Sequence, residues 1–238
     1  YETFHYKFLV FIGDKSEKSE RLYLQELLAY KIEGLIILSH TIPSVELSTL
    51  PIPIVTIERE DKFVCSVNTD NYMGGYQAAG LLARHGCDIL IHVNSPSSEL
   101  VPAHGRLLGF SDFCREHGMK HQVILQEFGY THETALPLLT SLMEDLARDY
   151  AYQKKGVFIS NDTDANLLLN LLFRKYGTLP DDWLLVGFDN SPISREAVMS
   201  ISTIGQQVDK LAYEAVRLLV EQMNERKKRN PVPLKEPV

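Results

Sequence analysis

At 238 residues with 45% hydrophobic residues, the chain can bury one large core or two modest ones. The formal net charge of −7 excludes nucleic-acid binding by overall field; the longest basic run, Arg226-Lys227-Lys228-Arg229, lies beside Pro231 and Pro233 and reads as a solvated helix end leading into a linker. Cys65, Cys87 and Cys114 are widely separated, with no CxxC and no Cys/His pair at metal spacing, so no metal site is expected and the thiols read as buried and free in a reducing compartment.

Taken in chain order, short apolar runs alternate with longer amphipathic stretches. Residues 8–12, 35–38, 54–57, 89–93, 123–125, 157–159 and 184–188 are strand candidates, most of them continuous apolar runs of the kind buried on both faces of a parallel sheet. Between them a short helix fits residues 107–117, stopping at Gly118. Ala135, Leu138, Leu139, Leu142, Met143 and Leu146 form one helical stripe, and Pro137 places that helix's start near Thr134. Ala165, Leu168, Leu169, Leu172, Phe173 and Tyr176 form another, with Asp162 or Asp164 as N-cap and Gly177 as stop. Val208, Leu211, Ala212, Ala215, Leu218 and Leu219 make a third. Gly74-Gly75 with Ala78 and Ala79 reads as a helix surface packed tightly against a sheet. From Ser194 to Gln207 neither period holds, and that stretch is either a surface loop or a crossover between two lobes. Strands alternating with helices predict βαβ units and parallel sheets. No apolar run approaches the roughly 18–20 residues that span a bilayer. There is no signal-peptide pattern, and a chain that begins at Tyr1 reads as a fragment.

Ligands of open α/β sheets bind beyond the carboxyl ends of the strands, so the residues that follow each strand are the candidates for a site. Ser39 and His40, Glu58 and Arg59, Asn94 and Ser95, Gly129 and Tyr130, Ser160 to Asp162, and Asp189 with Asn190 all occupy such positions. Any one of them could be a cap or turn former. Their recurrence at one edge points to a site, and its chemistry suits a neutral polyhydroxyl ligand: carboxylates, amides and an arginine for hydroxyls, a ring for an apolar sugar face. No G-x-S-x-G elbow, P-loop, G-x-G-x-x-G or HExxH occurs, so no enzymatic activity and no cofactor are expected. His85, His104 and His117 lie near helix ends, where surface histidines are common.

Several fragments, in order along nearly the whole chain, resemble the LacI/GalR transcriptional regulators. They are Val67-Asn68-Thr69-Asp70-Asn71-Tyr72-Met73-Gly74-Gly75 with Ala78, Ala79 and Arg84-His85-Gly86; Ile54 to Arg59; Arg106-Leu107-Leu108-Gly109-Phe110; Ser160-Asn161-Asp162; and Leu179-Pro180-Asp181-Asp182 with Val186-Gly187-Phe188-Asp189-Asn190, Ser202-Thr203-Ile204 and Gln206. The resemblance implies an α/β, type I periplasmic-binding-protein-like fold of two lobes joined by crossovers. It places residues 1–68 plus 205–234 in the first lobe and 69–204 in the second. It implies that a small-molecule effector, a sugar or alternatively a nucleobase, binds in the inter-lobe cleft. Asp70, Arg59, Arg106, Asn161, Asp189 and Gln206 are its expected contacts, with Tyr130 as stacking ring. It further implies a cytoplasmic homodimeric repressor that reaches operator DNA through an N-terminal helix-turn-helix absent from these residues. The family's usual first strand and helix are absent too, 8–12 matching its second strand, and the chain stops before its final strand. A periplasmic sugar-binding protein of a transport system shares the fold and is the alternative expectation.

Overall fold

A computed structural model describes residues 6–13, 16–38, 41–59, 63–96, 101–129, 131–196 and 198–229. Its elements, in chain order, are α1 (Glu17–Ala29), β1 (Leu35–Ile37), α2 (Ser44–Leu47), β2 (Ile54–Ile57), β3 (Cys65–Val67), α3 (Asn71–Arg84), β4 (Ile89–Asn94), α4 (His104–Glu116), β5 (His121–Leu125), α5 (His132–Asp149), β6 (Lys155–Ile159), α6 (Asp162–Tyr176), β7 (Trp183–Asp189), α7 (Ile193–Glu196), β8 (Ser202–Gly205) and α8 (Val208–Arg229). The chain divides into two compact units, Tyr1–Thr69 with Gln207–Val238, and Asp70–Gln206.

In the first unit a parallel sheet of order β1-β2-β3 pairs Leu35 with Ile54 and Ile57 with Val67. One face of this sheet is covered by α8, whose Ala215, Leu219 and Met223 are buried with Val55. Gly34 makes that approach possible, because a Cβ there would stand 2.9 Å from the Leu219 side chain. A second cluster gathers Ile42, Leu47, Ile54 and Val64, with Leu24 of α1 packed against it.

The second unit is a five-stranded parallel sheet of order β5-β4-β6-β7-β8. Its core residues sort into two clusters. Phe110 and Cys114 of α4 gather with Ala78, Ala79 and Leu82 of α3. Leu139 and Leu142 of α5 gather with Leu168 and Leu172 of α6. Helices therefore cover both faces, which is why β4 and β6 are buried along their whole length. Helix α3 packs unusually close to α4. A Cβ on Gly75 would overlap the Arg106 carbonyl, and one on Gly109 would overlap the carbonyl of Tyr72. The adjacent Gly74 instead faces the sheet, 2.7 Å from the Phe188 ring by the same construction, so the glycine pair serves helix and sheet together. Two phenol-to-carboxylate bonds flank the contact, Tyr72 to Asp112 at 2.9 Å and Tyr76 to Glu116 at 2.8 Å.

Several expectations change. Residues 8–12 form no strand; no described strand pairs with them, and Val10 and Ile12 are 80% and 85% exposed. Apolar content alone does not make a strand without an edge to pair with. β3 and β8 were unread because both are short, polar edge strands, and β8 lies inside the aperiodic 194–207 stretch. α1 was unread because it buries only Leu27 and shows little stripe. α5 begins two residues before the expected Thr134, where Thr131 and Thr134 form a reciprocal hydroxyl cap that outweighs the placement of Pro137. α4 begins at His104, not Leu107. α6 is capped by Asn161 instead of Asp162 or Asp164. Cys87 and Cys114 are buried, and burial pushes the Cys114 thiol up to about 12, but Cys65 on the edge strand β3 is exposed.

His92 of β4 is fully buried, stacked on Phe158 at 4.4 Å between ring centroids and 5.2 Å from Phe110. Burial lowers its pKa from 6.5 to about 4, against a hydrogen bond with the Phe158 carbonyl that favours the charged form, and the Arg106 charge lowers it further. The unfolded chain therefore takes up this proton first, so the His92 contribution to stability is complete above pH 6.5 and is lost as pH falls toward 4. That loss approaches ~3 kcal/mol. His92→Leu should flatten the acid limb of a plot of urea midpoint against pH over that range; an unaltered limb would exclude His92 as its source. At the helix contact, Gly75→Ala should cost at least ~3 kcal/mol, because backbone atoms rather than a flexible side chain must move. Urea unfolding checks this, and a loss within ~0.5 kcal/mol would contradict the close contact.

Candidate functional site

In the second unit the chain leaves β4 into α4 on one face and leaves β6 into α6 on the other. Adjacent strands whose connections part to opposite faces open a crevice at their carboxyl ends, and two helix N-termini border it. Arg106, in the first turn of α4, reaches across. Its Nε donates to Asn71 Oδ1 at 2.7 Å, its Nη1 donates to the Ser160 carbonyl at 2.7 Å, and its guanidinium lies 3.5 Å from the centroid of Phe188. With 8% exposure the cation is almost wholly withdrawn from solvent and held by a neutral amide, a carbonyl and a ring face.

The other expected contacts of this unit occupy the same edge and hold it together. Asp70 caps α3, accepting from the Met73 N–H at 2.9 Å. Asn161 caps α6: Oδ1 accepts from Asp164 N–H at 2.8 Å while Nδ2 donates to the Asp164 carboxylate at 2.7 Å. Burial raises the Asp164 pKa, the bond from Asn161 opposes it, and the charge of Glu127 raises it further. Asp189 ends β7 at φ 111 and Asn190 follows at φ 56, both in the left-handed region that non-glycine residues enter at a cost of about 1–3 kcal/mol each. Gln206 Nε2 donates to Asp189 Oδ1 at 2.6 Å and so pins the turn from beyond β8. Tyr130, together with Ser39 and His40, lies outside the described residues.

Two participants take roles that the sequence reading did not give them. Asp162 is 1% exposed, and its Oδ2 accepts from the Ser191 N–H at 2.7 Å and hydroxyl at 3.0 Å, tying α6 to the loop after β7. A side chain at Gly187 would collide with it, so the glycine of the Val186-Gly187-Phe188 run is a space requirement. Asn71 holds Arg106 from α3. The signal for both was available in the Asn161-Asp162 and Asp70-Asn71 pairs, where one residue caps and its neighbour turns inward.

Six buried side-chain polar atoms have no partner among the described residues, and three of them belong to this edge. The three are Asn94 Nδ2 at the end of β4, His104 Nδ1 at the start of α4, and Asp162 Oδ1 at the start of α6. Each such atom costs about 1–3 kcal/mol when it stays unpaired.

In the first unit, Arg59 belongs to the carboxyl edge of β2. It is 9% exposed, donates from its side chain to the Ile42 carbonyl, and its N–H donates to Asn68 Oδ1 at 2.9 Å. Glu58 stands at φ 54, and its Oε1 accepts from the Thr69 N–H at 2.6 Å. Lys155, by contrast, sits at the opening residue of β6 on the other edge of its sheet, held by the Tyr150 and Gln153 carbonyls and Asp182. No group of three or more potential metal ligands occurs among the described residues, and no helix there is long and apolar enough to cross a membrane.

Comparison with known proteins identifies the family of the chain. The chain is 27% identical over 225 residues to the ribose operon repressor of Halalkalibacterium halodurans, covering 94% of this chain and 66% of that protein. It is 24% identical to the sucrose operon repressor of Pediococcus pentosaceus, over 93% of this chain and 66% of that one. The chain thus spans just under two thirds of the length of these relatives. Among solved structures, the periplasmic binding protein/LacI transcriptional regulator of Alkaliphilus metalliredigens, crystallised with D-xylulofuranose, superposes with a TM-score of 0.73 at 25% identity, over 89% of this chain and 77% of that one. A periplasmic binding protein-like domain model matches residues 79–238. Residues 2–146 match the model of periplasmic binding proteins and the sugar-binding domain of the LacI family, and the chain belongs to that family.

Proposed function

We propose that this chain is the effector-sensing module of a LacI-type transcriptional repressor and that a small neutral sugar binds at the carboxyl edge of its five-stranded sheet. The observation that carries the reading is Arg106, a desolvated guanidinium fixed at the floor of a switch-point crevice. Asp70, Asn161, Asp189 and Gln206 border the same edge. Hydroxyl groups both donate and accept, so a polyol can meet carboxylates, amides and a guanidinium in one site. The names of the relatives, ribose and sucrose operon repressors, favour a sugar over a nucleobase.

No covalent step is involved. The sugar binds one conformation of the module better than another and shifts the population toward it. In the longer protein, a homodimer acting in the cytoplasm, that shift alters the affinity of DNA-binding segments for their operator. By linkage, operator and sugar change each other's affinity by the same factor.

The test is calorimetric titration with D-ribose, D-fructose, D-glucose and sucrose. The wild-type chain should bind at least one of them. Arg106→Ala and Asp189→Ala should each weaken that sugar at least ~10-fold while keeping the wild-type circular dichroism spectrum, since each removes a charged partner from the ligand. Undiminished affinity in both variants would show that the site lies elsewhere.

A further inference from the structure

The position of Asn94 follows from three independent features. Residues alternate across a strand, so Asn94 lies on the same sheet face as His92, and His92 packs 5.2 Å from Phe110 of α4. Going two residues along β4 advances about 6–7 Å, and going back one turn of α4 from Phe110 to Arg106 covers about 6 Å in the same direction. Asn94 therefore stands level with Arg106. The strand register agrees: Val93 pairs with Ile159, which puts Asn94 level with Ser160, the residue whose carbonyl accepts from Arg106. The backbone of Asn94 is committed, its carbonyl accepting from the Gln126 N–H at 2.8 Å. The side chain is 5% exposed, and its Nδ2 meets no acceptor among the described residues.

A buried amide donor without an acceptor, beside a buried arginine at the floor of a switch-point crevice, is a group held ready for something that enters the crevice. Apolar residues of similar size would fill the space without that penalty. We propose that Asn94 is an effector-contacting residue that donates through Nδ2 to a ligand oxygen. It thereby selects sugars that place a hydroxyl or ring oxygen against the end of β4. The inference rests on the sugar-binding reading above and adds a contact to it.

A structural asparagine and a ligand-binding one respond differently to the same change. Asn94→Leu removes the orphaned donor, so the ligand-free melting temperature should stay level or rise. Affinity for whichever of D-ribose, D-fructose, D-glucose and sucrose the wild-type chain binds should fall at least about tenfold. Asn94→Asp keeps the shape but offers an acceptor in place of the donor, and should lose affinity by a similar factor. Wild-type affinity in either variant overturns the assignment, because a donor satisfied by solvent or serving the fold alone would leave binding untouched. A fall in ligand-free melting temperature that parallels the loss of affinity also overturns it. If the wild-type chain binds none of the four sugars, the effector reading fails and this contact falls with it; loss confined to the variants separates the two.

Discussion

The close approach of α3 and α4 is the constraint on which the rest of the site depends. Gly75 and Gly109 let the two backbones touch, and the Arg106 carbonyl is itself one of the touching atoms. The same residue then sends its side chain to Asn71 on α3, to Ser160 at the end of β6, and over Phe188 of β7. One arginine thus joins two helices and two strands through its backbone and side chain. Its long aliphatic stem would ordinarily carry substantial rotamer freedom, and here that freedom is removed before any ligand arrives. A guanidinium fixed in this way presents a planar set of donors at little further entropic cost.

The edge around Arg106 combines completed caps with uncompleted polar groups. Asp70 and Asn161 satisfy the first turns of α3 and α6, which keeps those N-termini ordered. Asn94, His104 and Asp162 each keep one buried polar atom without a partner among the described residues. A fold optimised only for stability would replace such groups, as it does on β7, where Leu185 and Val186 fill the core without polar atoms. The left-handed turn at Asp189 and Asn190 belongs to the same pattern: strain is held in place by Gln206 on one side and Thr203, which accepts from the Asn190 N–H, on the other.

Much of this arrangement was legible in the sequence because burial on both faces writes itself as apolar runs. The runs at 89–93, 157–159 and 184–188 correspond to β4, β6 and β7, the middle of the five-stranded sheet. β8 is a short, polar edge strand and carries no such signature, so Ser202–Gly205 read as an aperiodic stretch. The run at 8–12 misleads for the converse reason: it has the composition of a core strand without a paired edge among the described residues. Caps were half legible. Asn, Asp and Thr at the right spacing announce that a helix begins, yet which of Asn161, Asp162 and Asp164 caps α6 is decided by Ser191, which is distant in sequence and takes Asp162 for itself. Asn71 and Asn94 could not be ranked from sequence at all, since their significance comes from what α4 brings beside them.

The residues expected to touch the ligand are engaged internally, and that is compatible with the role proposed for them. A carboxylate has about four acceptor positions, so the bond from Met73 orients Asp70 without exhausting its chemistry. An amide is more constrained. Asn161 commits one lone pair of its oxygen to the Asp164 N–H and one N–H of its nitrogen to the Asp164 carboxylate, which leaves one lone pair and one amide hydrogen for a ligand. Asn161 is therefore foremost a cap, and a substitution there would unsettle α6 before it altered recognition. Asn94 is the reverse case, an amide whose donor has no structural task. Between two asparagines at the ends of neighbouring strands, the one the sequence motif makes conspicuous holds the scaffold, and the inconspicuous one is better placed to discriminate the ligand.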